Sequence, residues 1–559
     1  METINYWTRL EKRVSRRRVL EGGVVAAAGA GMILVGCGDD DDDDGTPSAG
    51  TTPPTTAPGS TTVPAESPTA VTPEGKVTIA VSGLGNQNYD PGAASGLAEE
   101  LVNAEVGEAL VIMGPEKNAY IGGVASEWEV PSTDGLTWVF TLRDGVQYHD
   151  DTTATTEDIG YTIERFIDPE NKSVSGANLT RVLDRFDITE KQVTLHLKEP
   201  ASFIPMLAYM QITPKAAVEA AGGSFGDHPI GAGPFKFVSA RVDDRVALEA
   251  FTNHYRKVPG FKELELRLIP EVTTRLASLQ AGESDIMLKP SGPAIPAIEG
   301  DSNLKLNQIE STSLNGIIFL DLGTPETAAG SPWSDPRMRE AVAHAIDIDT
   351  IIEKIYFEHA VPVAVPSAVA GLPGVPDLLP RVYDPAKAKA LIDQAGHADL
   401  EFSIYSYTSG AQAGNTETAD AVSTYLNAVG FKTQSRPVEY AAFFDSVRGN
   451  AWSGTGALSV QVLGGRAQES FLGVVDPGAS QTYYYSEELA IEAKTLFTLA
   501  GEALEEAVGE LSQKLYDQIA YVPLVSQNYV QGYGKRIRGW APRMRAGYEL
   551  GMEYIELEG

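Results

Sequence analysis

The sequence changes character at residue 76. Residues 45–75, GTPSAGTTPPTTAPGSTTVPAESPTAVTPEG, are rich in Pro, Thr, Ser, Gly and Ala and hold no aromatic side chain. Such a stretch cannot bury enough apolar surface to offset the entropy of ordering it. From residue 76 the pattern becomes that of a folded body, KVTIAVSG (76–83) being the first β-branched, alternating run. At 559 residues the chain is too long for one core, so two to four domains are expected.

Along the body, strand and helix patterns mix without a repeat. Strands are expected over 76–83, 136–145, 192–200, 261–270, 400–408 and 521–534. Helices are expected over 96–111, 272–282, 415–430, 488–500 and 502–519, and one long amphipathic helix over 335–356. TEDIGYTIERFID (156–168) opens a further helix, with Thr156 ahead of Glu157 and Asp158 where an oxygen side chain and acids suit the positive end. The reading is α/β or α+β with more than one lobe.

The N-terminal segment reads as a leader. SRRRVLEGG (15–23) precedes fifteen uncharged residues (22–36), a signal-peptide length and too short for a typical membrane span. Ser15, Arg16, Arg17 and Leu20 resemble a twin-arginine signal, although Val19 and Glu21 depart from it, so the export route stays open between that and general secretion. Leu34-Val35-Gly36-Cys37 resembles a bacterial lipobox, which implies that Cys37, the one cysteine of the chain, becomes a lipidated N-terminus. The alternative is an ordinary cleaved signal with an incidental cysteine. Six aspartates (39–44) follow; like charges keep that stretch solvated and extended. With 45–75 they form an expected disordered tether, 37–75, whose Pro-rich part reaches up to ~3.1 Å per residue. Its Thr/Pro content also permits O-glycosylation.

The formal net charge of −33 disfavours nucleic acid and anionic lipid headgroups as partners. One cysteine can form no intramolecular disulfide, and the seven histidines are scattered without metal-ligand spacing, so neither a metal site nor a cofactor is expected. No Gly-x-Ser-x-Gly elbow appears, which weighs against a stalked secreted hydrolase, although the many acids leave a carboxylate pair open.

Four segments carry a resemblance to a known family. LRDGVQYHDDTTATTEDIGYTIER (142–165), GAGPFKFVSARVDDRVALEAFTNHY (231–255), LELRLIPEVTTRLASLQAGESDI (264–286) and DPRMREAVAHAIDID (335–349) occur in the order seen in the extracytoplasmic solute-binding proteins of family 5. These are the dipeptide-, oligopeptide- and nickel-binding receptors of ABC importers. The resemblance implies a type II periplasmic-binding-protein fold of the large cluster, two lobes joined by a hinge, and no enzyme activity. Lobe one would comprise 76–110, 226–310 and 525–559, with an inserted subdomain at 111–225; lobe two would span 311–524. The implied partners are a small solute or peptide and the transmembrane subunits of a permease, with the chain a monomer anchored by lipid outside the cell membrane.

In peptide-binding members, an Asp in a Trp-Gly-Ala-Asp-Tyr-type segment holds the ligand amine. VLGGRAQESF (462–471) stands in that place, with Gly464, Gly465 and Arg466 and no Asp. A buried ammonium without a carboxylate is costly, so Arg466 suits a carboxylate, phosphate or hydroxylated ligand better; nearby Glu469 is an alternative acid, and a surface salt bridge is the other fate of Arg466. The family layout adds Asn86 and Tyr89, which either hydrogen-bond a ligand or build a turn. Tyr405 and Tyr407 share one strand face and either stack on a ligand or fill core. Tyr484, in TYYYSEE (482–488), carries the same two readings.

Overall fold

The computed structural model describes residues 72–558, apart from 86, 93–98, 115–119, 132–133, 172–173, 202–203, 311–312, 409–413, 465–467, 477–481, 500 and 546–547. The leader, Cys37, the aspartate run and the tether to residue 71 lie outside the described residues. No described helix is long and apolar enough to cross a membrane.

Two large sheets organise the body. One has seven strands, in the order Lys305–Ile309, Tyr529–Tyr533, Ile286–Leu288, Lys76–Val81, Glu263–Leu268, Arg245–Ala250 and Phe235–Arg241. The other has six: Ala360–Pro362, Val522–Gln527, Ser313–Phe319, Leu458–Gly464, Glu401–Thr408 and Lys432–Glu439. A smaller antiparallel sheet of four, Ala125–Glu129, Thr137–Leu142, Gln192–Leu197 and Leu183–Ile188, is inserted in sequence between two strands of the seven-stranded sheet. Each sheet has its own apolar core. Ile79, Phe235 and Leu266 sit in the first; Ile404, Val422 and Trp333 in the second; Phe140, Ile163 and Leu195 in the third. The six-stranded sheet is covered on both faces, its opposite face by a further cluster around Leu314, Phe471 and Tyr521.

The strand expected over 521–534 is two strands. Val522–Gln527 belongs to the six-stranded sheet and Tyr529–Tyr533 to the seven-stranded one, with Asn528 between them. Lys305–Ile309 and Ser313–Phe319 divide in the same way. A few polar residues between two β-patterned halves read equally well as part of one strand, so the change of sheet leaves no distinct mark in the pattern. The helix expected over 335–356 also divides, into Pro336–Ala345 and Ile348–Lys354. Ile346 is extended, and the Asp347 carboxylate accepts from the Thr350 N–H at 3.0 Å, starting the second helix as its N-cap. In the inserted body the cap is Thr155 rather than Thr156. Its hydroxyl accepts from the Asp158 N–H while Asp158 accepts from the Thr155 N–H at 2.9 Å.

The segments that carry the family resemblance dock on one another. His149 donates its N–H to the Gly231 carbonyl at 2.9 Å, and its ring Nε2 lies 3.0 Å from the Gly233 carbonyl. Gly231 must be small: a Cβ there would sit 2.2 Å from the Val106 carbonyl oxygen. Asp285 accepts from the Thr78 N–H at 2.9 Å and pairs with Arg536 at 2.8 Å, fastening two strands to the C-terminal segment. Arg339, 5% exposed, donates to the carbonyls of Trp333 (2.6 Å) and Gln518 (2.7 Å).

Beside Gly231 lies a buried charge cluster. Glu108 pairs with Arg256 at 2.9 Å and with His254 at 3.2 Å, and Arg256 also pairs with Glu553. Burial alone would raise Glu108, but Arg256 and His254 outweigh it and hold the carboxyl at about 2. Glu105 differs: burial and the Glu553 charge push it up to about 8, although it accepts from the Gly551 N–H at 2.9 Å. A raised carboxyl binds its proton more tightly in the folded chain. Its contribution to stability is therefore complete below about 4.5 and is lost as pH rises to about 8. Thermal melts of Glu105→Gln should lose that decline between about pH 4.5 and 8, whereas the wild-type chain keeps it. Glu108 works in the opposite direction, its stabilisation being lost as pH falls from about 4.5 to about 2.

Candidate functional site

The place where the two large sheets meet is lined from both. Lys289, Pro290 and Tyr529 come from the seven-stranded side; Ser313, Asn315 and Val462 come from the six-stranded side; Asn528 sits at the crossover itself. They enclose a cavity of about 30 Å³, room for a single water-sized occupant. Tyr529 donates its hydroxyl to Ser313 Oγ at 3.1 Å, and the Asn528 N–H donates to the His359 carbonyl at 2.9 Å.

Two polar atoms here have no hydrogen-bond partner among the described residues. Asn315 is 2% exposed and Asn528 4%, and the Oδ1 atom of each is buried without a donor. The orientation of Asn315 follows from its other contacts, since Nδ2 donates to Asn415 Oδ1 at 3.2 Å and to the Tyr356 hydroxyl at 3.3 Å. Tyr356 in turn lies 3.0 Å from the Thr418 hydroxyl. A buried acceptor without a donor costs about 1–3 kcal/mol. Both residues line the same small cavity, and a neutral carboxamide oxygen accepts from an N–H or O–H group, that of an ordered water included. Lys289 is held at φ +51, a strained conformation for a side-chain-bearing residue, beside the same cavity.

A larger cavity, about 350 Å³, lies in the six-stranded body between the helix Tyr440–Arg448, the segment 323–327 that opens the short helix Pro325–Ala328, and the segment 482–485. Its walls mix hydroxyls and aromatic rings: Thr324, Thr327, Trp452, Tyr483 and Tyr485, with Arg448 and Glu326 as the charged members.

The residues singled out from the sequence fall in several places. Tyr405 stacks on Trp452, rings parallel at 3.8 Å, and so backs the larger cavity. Tyr407 points to the same side but is 1% exposed, among Tyr440, Phe443 and Phe444, and its hydroxyl accepts from the Val462 N–H at 3.1 Å. Burial raises its hydroxyl well above the usual tyrosine range. Tyr484 turns away from the cavity wall, its ring under the Arg339 guanidinium at 5.7 Å, while its neighbours Tyr483 and Tyr485 form that wall. Tyr89 is 1% exposed in the core of the seven-stranded body against Phe237, lines neither cavity, and is pushed up to about 12 by burial. Gly464 ends its strand opposite Ser313, at the junction of the sheets. Asn86, Gly465 and Arg466 lie outside the described residues.

Asn315, Asn528 and Trp452 escaped the sequence reading. Trp452 sits in a glycine-rich loop, GNAWSGTG (449–456), where a large aromatic residue is out of keeping with a turn and was the available signal. The two asparagines carry none, since neither Asn315 within its strand nor Asn528 between two strands is set apart until the sheets are assembled.

Residues 119–459 match the family model described as bacterial extracellular solute-binding proteins, family 5 Middle. Among curated proteins, the chain is 26% identical over 382 residues to di/tripeptide-binding protein 2 of Pseudomonas aeruginosa (strain UCBPP-PA14), spanning 63% of this chain and 70% of that one. Among solved structures it resembles the periplasmic binding protein DppA of Helicobacter pylori in complex with the peptide STSA. The TM-score is 0.72 at 18% identity, covering 87% of this chain and 98% of that one. It is equally similar to AgaA of A. tumefacien R10 in complex with agropinic acid, with a TM-score of 0.72 at 21% identity and coverage of 87% and 99%. At these identities the solved structures speak to the fold, two-lobed and mixed α/β. The matched span, the order of the four segments and the sheet-to-sheet crossovers agree: the chain belongs to the family 5 bacterial extracellular solute-binding proteins.

Proposed function

We propose that this chain is the membrane-tethered substrate-binding protein of an ABC import system. It captures a solute, a peptide in the first instance, in the cleft between its lobes and delivers it to a permease. Cys37 carries the lipid, the aspartate run and Pro/Thr-rich tether lift the body off the membrane, and the body binds without catalysing a reaction. Lobe one is taken as 76–110, 226–310 and 525–559, the inserted subdomain as 111–225 and lobe two as 311–524. Tethering next to a permease keeps the bound solute at high effective concentration.

The observation that carries the reading is the pair of unpartnered carboxamide oxygens, Asn315 and Asn528, buried where the two sheets meet. A ligand reaching this junction with an N–H or O–H group would supply a donor that the described residues do not. Tyr405, Gly464, Gly465 and Arg466 are taken as the cleft side of lobe two and Asn86 as that of lobe one, with Tyr407, Tyr484 and Tyr89 packing behind those surfaces. The similarity to a di/tripeptide-binding protein supports a peptide. A non-peptide ligand, such as an oligosaccharide, an opine-like compound or a chelated metal, is the second reading. It is favoured by Arg466 standing where peptide binders place an acid and by the likeness to a structure holding agropinic acid.

Three outcomes are expected. Mass spectrometry of solute released on denaturing the purified chain should give short peptides; a single non-peptide anion would favour the second reading, and no solute under any growth condition would count against capture. With that solute in calorimetry, Asn315→Leu or Asn528→Leu should weaken binding by roughly ten- to a hundredfold, the cost of about 1–3 kcal/mol for a lost buried hydrogen bond; Arg466→Ala should also weaken it if the residue lines the cleft. Cys37→Ser should move the protein from the membrane fraction to the soluble one, and unchanged fractionation would remove the lipid anchor from the scheme.

A further inference from the structure

The inserted four-stranded body and the six-stranded body touch through a chain of alternating charges. Lys494 lies 2.9 Å from Glu199 and 3.7 Å from Asp476, and Arg181 lies 3.9 Å from Asp476. Glu199 and Arg181 belong to the inserted body; Asp476 and Lys494 follow and form part of helices of the other, Gln468–Val475 and Glu487–Thr495. Asp476 is 3% exposed. Backbones approach closely at the same rim, since a Cβ on Gly135 would sit 3.2 Å from the Phe497 carbonyl oxygen.

The connectivity gives this contact its meaning. The inserted body interrupts the seven-stranded sheet between Lys76–Val81 and Phe235–Arg241, so it is covalently part of that half of the protein. The crossovers to the six-stranded sheet lie between Ile309 and Ser313 and at Asn528, and no strand of the four-stranded sheet connects directly to the six-stranded one. Bending at the crossovers must therefore part the rim, whereas the crossovers themselves stay joined. A carboxylate as buried as Asp476 is tolerated because two cations face it. When the rim parts, Arg181 leaves with the inserted body, and Lys494 loses Glu199. Among the described residues, the other ion pair linking the two large halves is His359–Glu299, 3.4 Å apart, which sits at the crossovers and cannot report on opening.

We propose that Glu199, Lys494, Asp476 and Arg181 form an electrostatic latch that holds the rim of the cleft shut and sets the balance between open and closed forms. The latch acts whatever the solute, so it does not rest on the ligand assigned above. The Lys494–Glu199 pair is partly exposed and is screened by salt over a Debye length of about 3 Å at 1 M, so closure should weaken as ionic strength rises, while the buried Asp476 pairs are screened less.

The test uses the full chain with Cys37→Ser and spin labels on Glu190→Cys and Glu502→Cys, two exposed positions on opposite sides of the rim. The protein is stripped of solute by unfolding and refolding, and label separation is read by double electron–electron resonance. At low salt the short separation should dominate, and it should give way to a longer one as salt approaches about 1 M. Asp476→Asn and Lys494→Met should show the longer separation already at low salt. Lys494→Arg, which keeps the charge, should retain the short one. Melting curves identify any variant that fails to fold, and Lys494→Met, on a partly exposed side chain, keeps the test decisive should Asp476→Asn be lost. A separation insensitive to salt and to Lys494→Met would overturn the latch, as would a shift of equal size in Lys494→Arg.

Discussion

The structure depends on two places where the backbone leaves one sheet and enters the other within a few residues. One lies between Ile309 and Ser313, the other at Asn528. Each sheet satisfies its own ladder, so neither crossover costs the sheets their hydrogen bonds. The result is two separately cored halves joined through two short connections, an arrangement that suits hinge motion. The unpartnered asparagine oxygens and the small cavity lie at this junction, and the ion-paired rim lies where only non-covalent contact holds the halves together.

The segments that place this chain in its family do structural work in the fold. His149 docks on Gly231 and Gly233; Asp285 ties Thr78 to Arg536; Arg339 binds backbone carbonyls at two points. These contacts require particular side chains and close backbone approaches, and they are indifferent to the ligand. A sequence can therefore declare such a fold while leaving its cargo open. The buried Glu108–Arg256–Glu553 cluster extends the same principle to the C-terminal segment, where paired charges fasten residues far apart in sequence.

Local signals were legible where they act within a few residues. The strand beginning at Lys76, the helix after Glu271 and the strand ending at Thr408 follow from alternation and from breakers such as Gly282, which sits at φ +72. The break at Asp347 was also in the sequence, as an Asp three residues ahead of Thr350, but the long amphipathic pattern masked it. The tyrosines show the limit. Tyr483, Tyr484 and Tyr485 are identical in type and adjacent, yet two line the large cavity and the third lies against Arg339. Tyr405 and Tyr407 share a strand face, and the helix Tyr440–Arg448 buries only one of them fully.

By itself the sequence determined that the body from residue 76 mixes helices and strands in more than one lobe, and that four ordered segments place it in one family. These properties are carried by composition, periodicity and near neighbours along the chain. Tertiary structure alone decided which strands change sheet, which asparagine oxygens are left without donors, and that Glu199 meets Lys494 across 295 positions of sequence. Such properties depend on which surfaces meet, and side chains brought together from distant segments by a pair of twisted sheets leave no periodic mark on the sequences that supply them.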